Sequence, residues 1–389
     1  MKKKYLNIHV LTSHSLSCLN RDDMNMQKTA VFGGTERIRI SSQCLKYAMR
    51  NADEFLKNFQ ISIRTRRPDL FIEELKKDKH FLEEVGEKTI KAIVDAMCSC
   101  KAKKKKQAND KVEGEEENDD GKETKYSKNL PVGVWSPEEV KYLCKEWNKH
   151  IKNNESEKEK NDIKKKSKNP LTLAEFLERD KEYNKYITID IALFGRMVTS
   201  GAMKIVDGSM SVAHAFTTHT AEPEIDWFTA TDSLSNEAGG GSAHIGQHEF
   251  SAGVFYKYAS INLKQLEKNT LSPNNEEILK KAAEGAWVFA VTQPTGMQHS
   301  FAAYNLPDYV LIVFSDVPIS LANAFEEPVE KDENGGFLNK SIKKLEDYFE
   351  KISQSFGLDG EKAVFSTNDN VENKKNIKEL KEWIMKGGE

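Results

Sequence analysis

Apolar and polar positions change period several times along this 389-residue chain, and each change predicts an element. Tyr5 to Leu11 alternates and carries β-branched residues, which predicts a strand. Glu36-Arg37-Ile38-Arg39-Ile40 alternates again, so an extended backbone puts the two arginines on one face and the two isoleucines on the other. From Ser41 the period lengthens to that of a helix. Leu45, Ala48 and Met49 share a core-facing side, while Gln43, Lys46 and Arg50, three and four apart, share another. Ser41 or Ser42 caps this helix by offering a hydroxyl to its free N–H groups. A basic stretch over 59–67 ends at Pro68, and helical spacing then runs from Asp69 to Cys98.

The pattern disappears over residues 101–128, where four apolar residues stand among nine lysines and eight acids. Such a segment buries too little surface to offset its ordering entropy, which predicts disorder or a surface loop. A helix follows near 137–150, then a lysine-rich run to 168 and a helix from Pro170 through Leu177, so 69–184 reads as a helical insertion. Residues 187–193 predict a strand that ends in Gly195-Arg196-Met197-Val198-Thr199-Ser200-Gly201. Residues 215–249 hold two extended arms about a polar, Gly-rich tip, a projecting hairpin. Downstream, the pattern predicts strands at 250–263, 301–304, 309–314 and 363–365 and helices at 272–291, 341–356 and 377–385. Strands and helices intermix without a βαβ repeat, which indicates an α+β fold with a mainly antiparallel sheet.

Charge modifies this picture locally. Charged residues make up 31% and the net charge is −3, so any nucleic-acid site must be a patch, not a bulk polycation. Residues 20–50 supply that patch, with six basic side chains (Arg21, Lys28, Arg37, Arg39, Lys46, Arg50) against three acidic ones (Asp22, Asp23, Glu36), a local +3. Together with a helix N-terminus these form an anion-binding surface, to which the Gly33-Gly34 turn gives access. An ordinary amphipathic helix with a solvated basic face fits the same spacing. The five cysteines, Cys18, Cys44, Cys98, Cys100 and Cys144, are odd in number and lack paired C-x-x-C spacing, which fits a reducing cytoplasm. Met1-Lys-Lys-Lys begins like a signal peptide, but Asn7 and His9 interrupt the apolar run, and no stretch approaches membrane-spanning length. The expectation is a soluble cytoplasmic protein.

Catalytic and metal signatures are weak. The Gly195–Gly201 loop lacks the Lys-Ser/Thr of a phosphate loop, and no G-x-S-x-G or H-E-x-x-H occurs. His244, His248 and Glu249 mimic a metal set, yet Gly246 weakens the helix that spacing needs. Asp22-Asp23 is the best catalytic candidate, as a Mg²⁺-holding pair; positioning of Arg21 and the loop backbone is the simpler use. Trp227 and Phe228, on the projecting hairpin, suit either core packing or a wedge between bases. The expectation is a protein without catalytic activity, metal or cofactor.

The run SCLNRDDMNMQKTAVFGG followed by RIRISSQCLKYAMR closely resembles the N-terminus of the backbone subunit of type I-E CRISPR surveillance complexes, the CasC family, and the similarity resumes from about Ile189 to the C-terminus. The resemblance implies a modified RRM-type (ferredoxin-like) palm in three parts (1–68, 185–214 and 250–389), helical fingers at 69–184 and a hairpin thumb at 215–249. It also implies several copies polymerised along one CRISPR RNA, each thumb reaching across its neighbour's palm and kinking the guide. The guide segments between kinks would pair with target DNA, and other Cascade subunits, of the CasA, CasB, CasD and CasE types, would complete the complex. Its RNA-binding residues would be Asn20, Arg21, Lys28, Ser41, Gln43, Lys46 and Arg50 on the palm, and Arg196, Met197, Thr199 and Ser200 in a second loop. Trp227, Phe228 and Thr229 would contact RNA from the thumb. Thr35-Glu36 departs from the family, whose members tend to be basic there. The runner-up reading is a metal-dependent ribonuclease-type backbone subunit that cleaves bound target RNA through Asp22 or Asp23.

Overall fold

The computed structural model describes residues 3–98, 131–161, 172–179, 185–198, 203–230, 244–272, 274–369, 371 and 375–389. The low-complexity run 101–128, Thr199, Ser200 and the hairpin tip at 231–243 lie outside the described residues. From the N-terminus the elements are β1 (Tyr5–Ser17), β2 (Thr29–Phe32), β3 (Thr35–Ile40), α1 (Ser42–Arg50), α2 (Asp53–Asn58) and β4 (Ile63–Thr65). Next come α3 (Pro68–Lys76), α4 (Lys79–Val85), α5 (Glu87–Cys98), β5 (Gly133–Trp135), α6 (Pro137–Asn161), α7 (Leu173–Arg179) and α8 (Ile189–Phe194). The third group is β6 (Met210–Val212), β7 (Ala215–Thr217), β8 (Glu224–Ala230), β9 (His244–Asn262), α9 (Leu263–Thr270) and α10 (Asn275–Val291). The chain ends with α11 (Gln298–Phe301), β10 (Tyr309–Ser315), α12 (Leu338–Phe356), β11 (Lys362–Ser366) and α13 (Ile377–Met385). Among the described residues no helix is long and apolar enough to cross a membrane.

Two compact units emerge. The first holds Met1–Phe59, Ser209–Glu267 and Ser272–Glu389 and is built on an antiparallel sheet in the order β11-β10-β1-β9-β7-β3-β2, with β6 and β8 also paired to β9. Tyr5–Leu11 pairs with β10 on one side and β9 on the other, so β1 is central. Every residue of β10 is buried because both of its faces are covered. Tyr309, Leu311 and Val313 meet Ile342, Leu345 and Phe349 of α12, while Val310 and Ile312 meet α10 and α13. A strand enclosed on both faces loses period-two alternation, which is why this segment reads as a continuous apolar run.

The second unit holds Gln60–Gly208 and Lys268–Leu271. Helices α3, α5, α6 and α7 close on a core that includes Phe71, Ile93, Trp135, Leu143 and Leu177. It takes in α8 and the following loop because both are tied to it by buried polar contacts. Ser62 donates from its backbone N–H and its hydroxyl to the Asp190 carboxylate at 2.9 and 2.5 Å.

Four sequence expectations change. The run expected as a strand at 187–193 instead holds most of helix α8 (Ile189–Phe194), since a short apolar run carries no period to separate the two. The helical stretch 69–98 is three helices, interrupted where the Asp78 side chain caps α4 and where Gly86 takes φ +82°. The expected strand at 301–304 does not form: α11 ends at Phe301, between left-handed Met297 and Ala302, and 302–304 carry no regular structure. The arm after the hairpin tip and the strand at 250–263 are one 19-residue strand, β9, shared by hairpin and sheet.

Candidate nucleic-acid interface

The loop between β1 and β2 carries Asn20, Arg21 and Lys28, and its own backbone shapes it. Asp22 accepts the N–H groups of Met24 and Met26 through one carboxylate oxygen, both at 2.9 Å, closing a tight turn in which Asn25 adopts φ +66°. Arg21 is exposed on this turn and its guanidinium reaches the Asn25 side chain. Asn20 joins the loop to the helix that follows: its carbonyl accepts from Lys28 N–H, and its side-chain oxygen from Ser41 N–H, both at 2.9 Å. The β2–β3 turn places Gly33 and Gly34 at φ +60° and +75°, a conformation open to glycine. Glu326 O stands 1.6 Å from where a Cβ on Gly33 would lie.

Helix α1 starts at Ser41, whose hydroxyl accepts from Cys44 N–H at 3.2 Å. That hydroxyl caps the helix, and Ser41 is buried, so its role is to fix the first turn. Gln43 is exposed, Lys46 half-buried and Arg50 buried, so the basic helix face narrows from its N-terminus to its C-terminus. Arg50 is therefore turned inward, in contrast to the expectation of one shared accessible face.

A residue that sequence reasoning missed completes the site. His214, exposed in the link between β6 and β7, accepts Ser42 N–H at Nδ1 over 3.1 Å, and Arg39 Nη1 approaches the same nitrogen at 3.4 Å. Partial burial and the neighbouring charges of Arg39 and Lys28 hold its pKa below the ordinary histidine value. The Lys28 ammonium also acts on Cys44, whose thiol burial pushes up. Lys28, Arg39, His214 and the start of α1 thus share one electrostatic neighbourhood. No spacing or motif in the sequence singled it out.

Arg37 has another task. It is fully buried and donates to Thr35 Oγ1 (2.9 Å), Thr217 O (3.0 Å) and Phe325 O (3.0 Å), which locks β3 to the 322–325 turn. The alternation of β3 is real, but its arginine face is covered at Arg37, which removes that side chain from any accessible anion surface. Arg196 is corrected in the same sense. In the second unit its guanidinium makes two hydrogen bonds to Glu139, at 2.6 and 2.8 Å, with both side chains inaccessible. It also donates to Lys204 O. Met197, next in sequence, is 84% exposed. Thr199 and Ser200 lie outside the described residues.

The hairpin separates its two aromatics. Trp227 pairs with Gln247 and shares a face with Ile225, Thr229 and Ile245; Trp227 is 66% exposed. Phe228 pairs with Gly246 on the opposite face, where a Cβ on that glycine would lie 2.3 Å from its ring. Its ring centroid is 5.4 Å from that of His248, which contacts Asp226 at 3.4 Å. His248 and Glu249 lie on a strand, and among the described residues no group of three His, Cys, Asp or Glu is placed to hold a metal ion.

Comparison with known proteins bears on the whole chain. A chain of a "CRISPR RNA-guided surveillance complex, pre-nicking" superposes with a TM-score of 0.74 at 26% identity, over 99% of this chain and 100% of that one. A second, from a "CRISPR RNA-guided surveillance complex", gives 0.59 at 22% identity over 98% and 99%, a likeness of fold. No curated protein matches. The family model of CT1975-like proteins matches residues 6–386, nearly the full length, and the chain belongs to that family, Cas_CT1975.

Proposed function

We propose that this chain is a non-catalytic backbone subunit of a CRISPR RNA-guided surveillance complex, of the type I-E class in antiviral defence. Copies of it line up along one CRISPR RNA, kink the guide at regular intervals and leave the intervening segments free to pair with target DNA. The observation that carries this reading is the end-to-end likeness to a chain of such a complex, over 99% of this chain and 100% of that one. In this reading Arg21, Lys28, Gln43 and Lys46 meet the ribose-phosphate spine, and the contacts of Asn20, Ser41, Arg39 and His214 that fix the loop and the start of α1 support it. Backbone contacts of this kind position a strand without reading its sequence, and the pairing itself supplies specificity. Asp22 is spent on its own turn, which weighs towards a structural role for the loop and away from cleavage.

The test is assembly of a Lys28→Ala, Lys46→Ala variant on guides of unrelated sequence. Yield should fall equally for all guides, and the salt dependence of binding should lose about 0.7 in logarithmic slope for each phosphate contact removed. Undiminished yield with an unchanged slope refutes the reading. Regularly spaced, chelator-sensitive cleavage of complementary RNA would replace it with the ribonuclease.

A further inference from the structure

Three segments of the first unit meet at the root of the hairpin. The loop contributes Gln27, 5% exposed, whose backbone N–H donates to Glu249 Oε2 at 3.0 Å and whose side-chain oxygen accepts from the Ser251 hydroxyl at 2.9 Å. The hairpin root contributes Glu249 and Ser251, with His248 and Phe250 between and beside them. The third segment is 296–302. Its Phe301 ring lies edge-on to His248 at 5.6 Å and tilted against Phe250 at 5.8 Å. Gly296 closes the triangle, since a Cβ there would fall 2.6 Å from Leu19 O at the start of the loop.

The third segment is not a slack connection. Met297 and Ala302 both hold left-handed backbone at φ +53° and +50°, a conformation residues with a Cβ seldom adopt. Gln298 pins the turn between them from inside by donating to Pro294 O and Ala303 O, both at 3.2 Å. The direction of the Phe301 ring is therefore set by the fold, and His248 in turn lies tilted against Phe228 farther along the hairpin. Loop, hairpin root and strained turn each touch the other two.

We propose that this junction couples the 20–28 loop to the direction of the hairpin, so that a single strand seated on the loop fixes where the hairpin points. Gln27, Glu249 and Phe301 are its positioning residues. The claim that a strand is what seats there rests on the proposed function; the mechanical coupling does not.

The experiment is amide hydrogen exchange on the full chain, first without ligand. Phe301→Ala, which alters neither loop nor hairpin, should speed exchange about fivefold in both 20–28 and 245–251, and Gln27→Ala should do the same in 245–251. Phe301→Leu, which keeps the apolar volume but loses the ring contacts, serves if the alanine variant unfolds and should give the same pattern. Exchange that rises only in the substituted residue's own segment overturns the coupling. A single-stranded RNA of mixed sequence is then added. In the parent it should slow exchange in loop and hairpin root together, and in the Phe301 variants in the loop alone. A parent hairpin root that ignores RNA while the loop responds also overturns the proposal. Silence in both segments faults the proposed function and leaves the ligand-free result to judge the coupling.

Discussion

His214 Nδ1 stands 3.1 Å from the backbone N–H of Ser42 and acts as its acceptor. The arrangement fixes the imidazole tautomer, because a nitrogen that accepts from an N–H carries no proton, and Nε2 must then hold the ring hydrogen. Arg39 Nη1 shares the same acceptor at 3.4 Å, so one lone pair orients both the helix start and a guanidinium. His214→Ala should weaken binding of single-stranded RNA by roughly 3–10-fold, the worth of one hydrogen bond, with little change in thermal midpoint. His214→Gln, whose amide oxygen can accept in place of Nδ1, should recover most of it. The lowered pKa keeps the ring neutral below the usual histidine range of about 6.5, and the contact is lost as pH falls through the folded value. A nuclear magnetic resonance titration showing the Nδ1–H tautomer at neutral pH would contradict the geometry.

The Arg196–Glu139 pair predicts a different kind of loss. Both side chains are inaccessible, so removing either leaves a buried charge without its counter-ion, at a cost of about 3–5 kcal/mol. Arg196→Ala and Glu139→Ala should each lower the thermal midpoint of the unit holding Gln60–Gly208 by a similar amount. If Arg196→Ala instead reduces RNA affinity while the midpoint stays put, the side chain serves a ligand and the buried pairing is secondary.

Acid sensitivity should come from the centre of the sheet. Burial holds His9 and His14 neutral, with pKa values lowered to about 3 in both. The Tyr256 hydroxyl accepts from Leu321 N–H and is hydrogen-bonded to His9 Nδ1 at 2.9 Å, a contact a neutral ring can make. The unfolded chain protonates these rings near 6.5 and the folded one does not, so the stabilisation is complete above that pH. Each ring then removes about 1.4 kcal/mol per pH unit as the pH falls from 6.5 towards 3. Urea midpoints measured from pH 7 down to about pH 5 should drop accordingly, and His9→Asn should flatten the decline. A midpoint independent of pH across this window would show that the rings titrate normally.

What the sequence revealed divides along physical lines. Segments with one buried face declared themselves: α13 was legible to the residue, and the β2–β3 turn followed from Gly33-Gly34. Segments enclosed on all sides were ambiguous, because burial erases the period; α8 and β10 look alike as apolar runs and both read as strands, which was right for β10 and wrong for α8. The charged residues misled for a related reason. Arg37 and Arg196 look like anion ligands in a sequence, but they are held by carbonyls and carboxylates that are far away along the chain: 180 residues separate Arg37 from Thr217, and 57 separate Arg196 from Glu139. His214 was invisible for the converse reason, since its importance comes wholly from the helix it meets in space.

The two hairpin aromatics should separate by experiment. Phe228 lies over Gly246 beside His248, so much of its contact is with its own hairpin, whereas Trp227 projects from the other face with Ile225 and Ile245. The more exposed ring, Trp227 at 66% against Phe228 at 45%, is the one more available to stack on a base, worth about 1–3 kcal/mol. Trp227→Ala should therefore leave the thermal midpoint unchanged while reducing the regular reactivity pattern that chemical probing reads along the guide. Phe228→Ala should act first on the hairpin, speeding amide exchange in β8. Gly246→Ala should mimic it, because the added methyl forces the Phe228 ring off its seat. Should Trp227→Ala leave the probing pattern intact and Phe228→Ala abolish it without loosening β8, the wedge belongs to Phe228 and the face assignment given to Trp227 fails.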